Sequence, residues 1–215
     1  MPDATPLRRK RWRWLRREAI DLGDVFVQIF AVVIGILLAL FINNRVTERQ
    51  QQSAVSEAIR AMSTELAANR VALHESAARL TAMAADMQHS PGNQNGPARW
   101  CFQWDGWNGT NVANLTDSAY QTAIATQALS NMPFKQAQLI AQIYGHQHIK
   151  QKDFELIQTK ILVAGPQTLD VCITGVLDIV EDEHVLDAQY DPLIGPDKKT
   201  WPTPPPNPFA SNTSK

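Results

Sequence analysis

The sequence predicts a mainly α-helical chain in which one transmembrane helix continues into a long extracytoplasmic helix, packed with about three further helices as a bundle. Three observations predict it. From Val25 to Ile42 every residue but Gln28 is apolar. From Val55 to Met87 apolar residues recur in steps of 3 and 4. Between Gly35 and Pro91 there is neither proline nor glycine, so the two helices can be continuous.

The apolar run VFVQIFAVVIGILLALFI covers roughly 27 Å of helix, and residues 22–43 reach the ~30 Å of a hydrocarbon core. A soluble core helix seldom stays apolar on every side for so long. A cleaved signal peptide would place small residues in an A-x-A arrangement after the run, where this chain has Leu40, Phe41, Ile42, Asn43 and Asn44. The expectation is an uncleaved anchor. Ahead of it stand Arg8, Arg9, Lys10, Arg11, Arg13, Arg16 and Arg17, which put the N-terminus, residues 1–21, on the cytoplasmic side. Trp12 and Trp14 among them suit the headgroup layer, with anionic lipid as the partner of the cations and no nucleic acid. Net charge is −1 overall, but beyond Ile42 it is −4, from 13 basic and 17 acidic residues (13 − 17). The expectation is a short cytoplasmic side without an output domain.

Asp24, Gln28, Ala31, Gly35, Ala39 and Asn43 fall along one face of the span. Ala31, Gly35 and Ala39 form a small-xxx-small run that lets two backbones approach, and a neighbouring helix would satisfy the Gln28 amide. The alternative is lipid contact, with Gln28 near the interface. The stripe predicts self-association or pairing with another membrane protein.

Residues 44–188 read as the outer bundle. Ile59, Leu66, Leu73, Leu80 and Met87 hold one position of a heptad, and Val55, Met62, Asn69, Ser76 and Met83 the other. The pattern suits an intermolecular coiled coil or the long member of an intramolecular bundle, and the helices that follow favour the bundle. Residues 89–115 break the pattern with glycines, prolines and the stretch RWCFQWDGWNGT. Trp100, Phe102, Trp104 and Trp107 are expected to pack on the bundle, as a short hairpin; sugar or membrane contact is the alternative. Thr116 and Asp117 open a helix with Tyr120, Ile124 and Ala128 on one face. Pro133 starts another that runs toward Val163, loosened at Gly145. Gly165 and Pro166 precede a last one with Leu169, Cys172, Ile173, Val176 and Val180 as its stripe, ending near Leu186. From Tyr190 the prolines multiply, and residues 189–215 read as an extended, disordered tail.

The two cysteines, Cys101 and Cys172, both fall on the outer side. In an oxidising compartment they have one possible pairing, which would fasten the aromatic loop to the last helix. A free, buried Cys172 is the alternative, since it lies on an apolar stripe.

No phosphate loop, nucleophile elbow, H-E-x-x-H or C-x-x-C pair occurs, and no cofactor is expected. His146 and His148 have the most ligand-like spacing, yet on a helix they point about 200° apart. Only a break at Gly145 would let them share a metal, with Glu181, Asp182, Glu183 and His184 to add ligands. The plainer reading of that acidic run is a solvated helix end, with no metal. Asn108, Asn114 and Asn212 head glycosylation sequons, relevant only in a eukaryotic secretory pathway.

Two stretches resemble one family. Residues 22–50, LGDVFVQIFAVVIGILLALFINNRVTERQ, are similar to the N-terminal signature of a family of small uncharacterised bacterial inner-membrane proteins, a domain of unknown function. There a V-I-G-I-L-I-A-L membrane helix leads into N-N-W-N-E-x-R. Residues 33–40 with Asn43, Asn44, Glu48 and Arg49 match, while Arg45, Val46 and Thr47 replace the tryptophan region. Residues 115–144, LTDSAYQTAIATQALSNMPFKQAQLIAQIY, resemble the family's later helical pair. The resemblance implies an inner-membrane protein with a periplasmic helical domain, and it carries over no activity and no catalytic residue. The functional expectation is therefore a non-enzymatic, single-pass membrane protein whose periplasmic bundle mediates protein association. A periplasmic sensory module acting through a partner is the alternative, and a metal-dependent enzyme the weaker one.

Overall fold

The computed structural model describes residues 22–94, 96–197, 199 and 201–202. The basic cluster at 8–17 and the proline-rich stretch from 203 on lie outside the described residues. The chain is mainly helical, with no strand among the described residues. It divides into two units, Met1–Gln50 and Gln51–Lys215.

The first helix, α1, is Leu22–His89. In the first unit it is long and apolar enough to cross a membrane by length and composition. An 18-residue window there has a mean hydropathy of 3.0 and no buried residue. Gln28, Ala31, Gly35 and Ala39 are exposed along it, and a side chain at Gly35 would meet nothing within 4 Å.

In the second unit the heptad seam becomes a core within the chain. Met62, Leu66, Leu73, Leu80, Met83 and Met87 are fully or almost fully buried, and Val55 and Ile59 are partly covered. Their cover comes from α3 (Phe134–Val163) and α4 (Leu169–Ala188). The bundle reading of the pattern therefore holds. The core has two clusters. One joins Leu80, Met83 and Met87 to Trp104, Phe154, Val176 and Ile179. The other joins Met62, Leu66 and Leu73 to Ile140, Ile143, Tyr144, Leu186 and Tyr190.

The Cys101–Cys172 disulfide is formed, with Cα atoms 5.6 Å apart, and ties the aromatic loop to the start of α4. The loop is not a hairpin. It makes two 3-10 turns, Pro91–Asn93 and Cys101–Gln103, and one isolated bridge between Arg99 and Gln167. Asn93, rather than strand pairing, organises it: its amide donates to Met87 O and Asp105 O and its Oδ1 accepts from the Asp105 amide. Gly106 (φ +89°) passes so close to α1 that a Cβ would stand 2.7 Å from the Met87 nitrogen. Trp104 is buried, whereas Trp100 and Phe102 stack on each other, with Phe102 half exposed.

Helix α2 (Ser118–Ala125) is shorter than its apolar pattern suggests, and a 3-10 turn at Leu129–Asn131 follows it. Ala123 rather than Ile124 faces inward, the first 1% and the second 46% exposed. Helix α3 runs unbroken through Gly145. A short α5 (Asp191–Ile194) succeeds α4, and the first part of the expected tail is thereby folded.

Candidate functional site: a polar seam under the C-terminal segment

Arg70 and His74 stand one turn apart on α1, beside the buried seam. Asp187 closes the last turn of α4, and Asp191 opens α5. Arg70 Nε donates to Asp187 Oδ1 (2.5 Å), Nη2 to Asp191 Oδ1 (2.7 Å) and Nη1 to the Gly195 carbonyl (2.8 Å). Gly195 (φ +84°) takes the left-handed turn that presents that carbonyl. Asp187 is only 2% exposed, so its charge depends on this guanidinium.

The chain then carries Asp197 to His74, where Nε2 and Oδ2 are 2.5 Å apart. Burial opposes ionisation of Asp197, but the Lys199 amide and His74 outweigh it and hold its carboxyl below the ordinary value. Trp201 lies over both His74 (ring centroids 4.4 Å) and His184 (4.9 Å), and its indole N–H donates to Asp187 Oδ2 at 3.3 Å. Trp201 also packs on both core clusters. One imidazole nitrogen and two carboxylate oxygens, from His74, Asp187 and Asp197, thus lie within 4.8 Å of one another.

A second network lies along α1 from the first. Glu65 accepts from the Tyr144 hydroxyl (2.8 Å), the Ser118 hydroxyl (2.7 Å) and the Ala119 amide (2.9 Å). A carboxylate from α1 therefore caps the N-terminus of α2, where Asp117 makes no side-chain cap. Asn69 pairs with both backbone groups of Thr116, and its Nδ2 also donates to Gln147 Oε1, which accepts from Tyr190 as well. Burial, then Glu65, raises the Tyr144 hydroxyl far above its ordinary range. Burial, then Asp187, does the same for Tyr190. Both stay protonated donors.

Glu183 is an exception to this saturation. It is 0% exposed on α4, and its Oε1 accepts the Ala113 amide at 3.3 Å. The Ser76 hydroxyl donates to Asn111 O, which leaves Oε2 without a donor. Burial pushes this carboxyl up to about 7, although the Ala113 amide and the Arg79 charge pull the other way.

One sequence expectation is corrected here. The run Glu181–His184 is not a uniformly solvated helix end, because Glu183 points inward while Glu181 and His184 stay exposed. His146 and His148 do not converge: His146 Nδ1 meets Gln189 Oε1 (2.7 Å), and His148 Nε2 meets Asp117 Oδ2 (2.8 Å). The Gln121 amide, with His148 behind it, holds Asp117 below its ordinary range. Arg70, His74, Asp187, Asp191, Asp197 and Trp201 went unnoticed in the sequence. The only local signal was a cation and an imidazole at i, i+4 flanking an otherwise apolar seam.

A cleft of about 440 Å³ separates α3 from α4, with Ile157, Ile161, Val171 and Gly175 among its walls and Asp170 and Asp178 beside them. Burial, then Asp182 and Glu181, raises the Asp178 carboxyl. No family model, curated protein or solved structure matches the chain.

Proposed function

We propose that this protein is a non-enzymatic, single-pass inner-membrane protein whose periplasmic helical bundle mediates protein association. The observation that carries the reading is the change of character along α1. An exposed window of mean hydropathy 3.0 gives way to a seam of fully buried residues within the same helix. An unburied apolar helix of that length needs a low-dielectric medium around it.

The basic cluster at 8–17 supports a cytoplasmic N-terminus. The disulfide supports an oxidising compartment for the bundle. The resemblance of residues 22–50 and 115–144 to small bacterial inner-membrane proteins supports the same placement. The seam of α1 is consumed inside the bundle, so association falls to the exposed stripe Gln28, Ala31, Gly35 and Ala39, by self-pairing or with another membrane protein.

Single cysteines at Ala31, Gly35 and Ala39 test this directly in membranes, since Cys101 and Cys172 occupy each other. The expected result is carbonate-resistant membrane fractionation with crosslinked dimers at all three positions and none at Val33 or Leu37. Release of the protein by carbonate overturns the anchor, and uniform absence of crosslinks overturns self-pairing through the stripe.

A further inference from the structure

We propose that His74, Asp187 and Asp197 bind one divalent first-row transition cation, of which zinc is the type, and that the ion clips the C-terminal segment to the bundle. The proposal does not rest on the membrane reading. It starts from a charge imbalance. Asp187, Asp191 and Asp197 face one permanent cation, Arg70, with the ionisable His74 against Asp197, so the carboxylates outnumber the fixed cations three to one. Uncompensated charge next to a carboxylate as buried as Asp187 is costly. A divalent ion held by these groups would offset the carboxylates that Arg70 does not.

The donor atoms are arranged for it. Arg70 occupies Asp187 Oδ1, and among the described residues the other oxygen, Oδ2, receives only the Trp201 indole at 3.3 Å, near the long limit of a hydrogen bond. That oxygen is the one an ion would take at little cost. Asp197 Oδ2 and His74 Nε2 already meet, so the imidazole nitrogen is aimed at the cluster rather than at solvent. A tetrahedral zinc site with bonds of about 2.1 Å spaces its ligands roughly 3.4 Å apart. The His74–Asp197 contact of 2.5 Å would open by about 0.9 Å, and the longest separation, up to 4.8 Å, would close by as much as about 1.4 Å. Asp197 can supply that movement because it lies on irregular chain beyond α5.

The surroundings resemble the outer shell that orients metal ligands. Arg70 fixes the Asp187 carboxylate, and the Trp201 ring packs against the His74 imidazole. An imidazole with two carboxylates favours zinc, manganese or iron over calcium and magnesium, which take oxygen ligands. Three protein donors leave a fourth position for water. Asp197 is 16% exposed, which gives the ion a way in.

The test uses the full chain in detergent or nanodiscs, with any polyhistidine tag removed and metal stripped by chelator, titrated at pH 7.5. Isothermal titration with zinc chloride is expected to give one equivalent bound, a rise in thermal midpoint, and no competition from excess calcium or magnesium. Asp197→Asn, on the irregular segment, should weaken the binding at least about tenfold while helical circular dichroism is unchanged. His74→Gln should do the same, and His146→Gln should not. Absence of a stoichiometric zinc equivalent overturns the proposal, as does binding that survives Asp197→Asn or competition by calcium.

Discussion

The two core clusters are built around the same face of α1, yet they are held together by different means. In the Leu80–Met87 region the seam is apolar and fastened by the Cys101–Cys172 bond. In the Met62–Leu73 region the apolar residues alternate with Glu65 and Asn69, whose donors and acceptors are matched by Tyr144, Thr116, Gln147 and Tyr190. The contrast shows that a heptad seam fixes where a helix is buried but not what buries it. A polar residue at a seam position is stable when irregular chain, here residues 110–118, brings backbone partners to it.

Removing the covalent link should separate the two regions most. The Cys101→Ala/Cys172→Ala variant opens a loop with a sequence separation of 71 residues. It should lose about 4 kcal/mol, with hydrogen exchange rising first around Met83, Met87 and Trp104. Equal deprotection of both clusters would show that they unfold as one.

Arg70→Met attacks the other region, by leaving Asp187 buried without its cation. A loss of about 3–4 kcal/mol in urea denaturation is expected, with early proteolysis near residues 191–197. A variant as stable as the wild type, with that segment still protected, would mean that the guanidinium does not hold the C-terminal segment.

Glu183 sharpens the comparison through pH. Its carboxyl titrates near 4.5 when unfolded and is pushed up to about 7 when folded, so the unfolded state releases its proton first. Its contribution is most favourable below pH 4.5 and is lost as pH rises to 7, by roughly 3 kcal/mol. Glu183→Gln should flatten the stability profile across that window. An unchanged slope would place the pH dependence elsewhere.

The smallest effect is expected from Tyr144→Phe, which removes one of three donors from Glu65. About 1 kcal/mol should be lost, with the α2 amides exchanging faster. A loss of 3 kcal/mol or more would mean that the network acts as a unit.

Much of this was legible in the residues. Periodicity located α1, α3 and α4, and the residues named at Leu66, Leu73, Leu80, Ile140, Tyr144, Phe154 and Val176 are core residues. The start after Pro133 was legible because proline fixes its own φ, and the break at Gly165 because glycine readily takes the positive φ (+90°) that ends the helix there. The inward face of α2 was not, because a helix of 8 residues holds too few turns for a period to choose between Ala123 and Ile124. Nor was the folded stretch after Tyr190, where proline content suggested extended chain although Asp191, Asp197 and Trp201 anchor it.

The sequence by itself determined the quantities that depend on near neighbours along the chain: an apolar span long enough for a membrane, the heptad face, and the breaks between helices. It also reduced the cysteine pairing to a single possibility, which the structure realises. Only the tertiary structure decided which polar groups meet. Arg70 and Asp187 are 117 residues apart, and His74 and Asp197 123 apart. No local pattern encodes such encounters. They follow from how α1, α4 and the chain beyond α5 pack, and from the cost of leaving any buried charge without a partner.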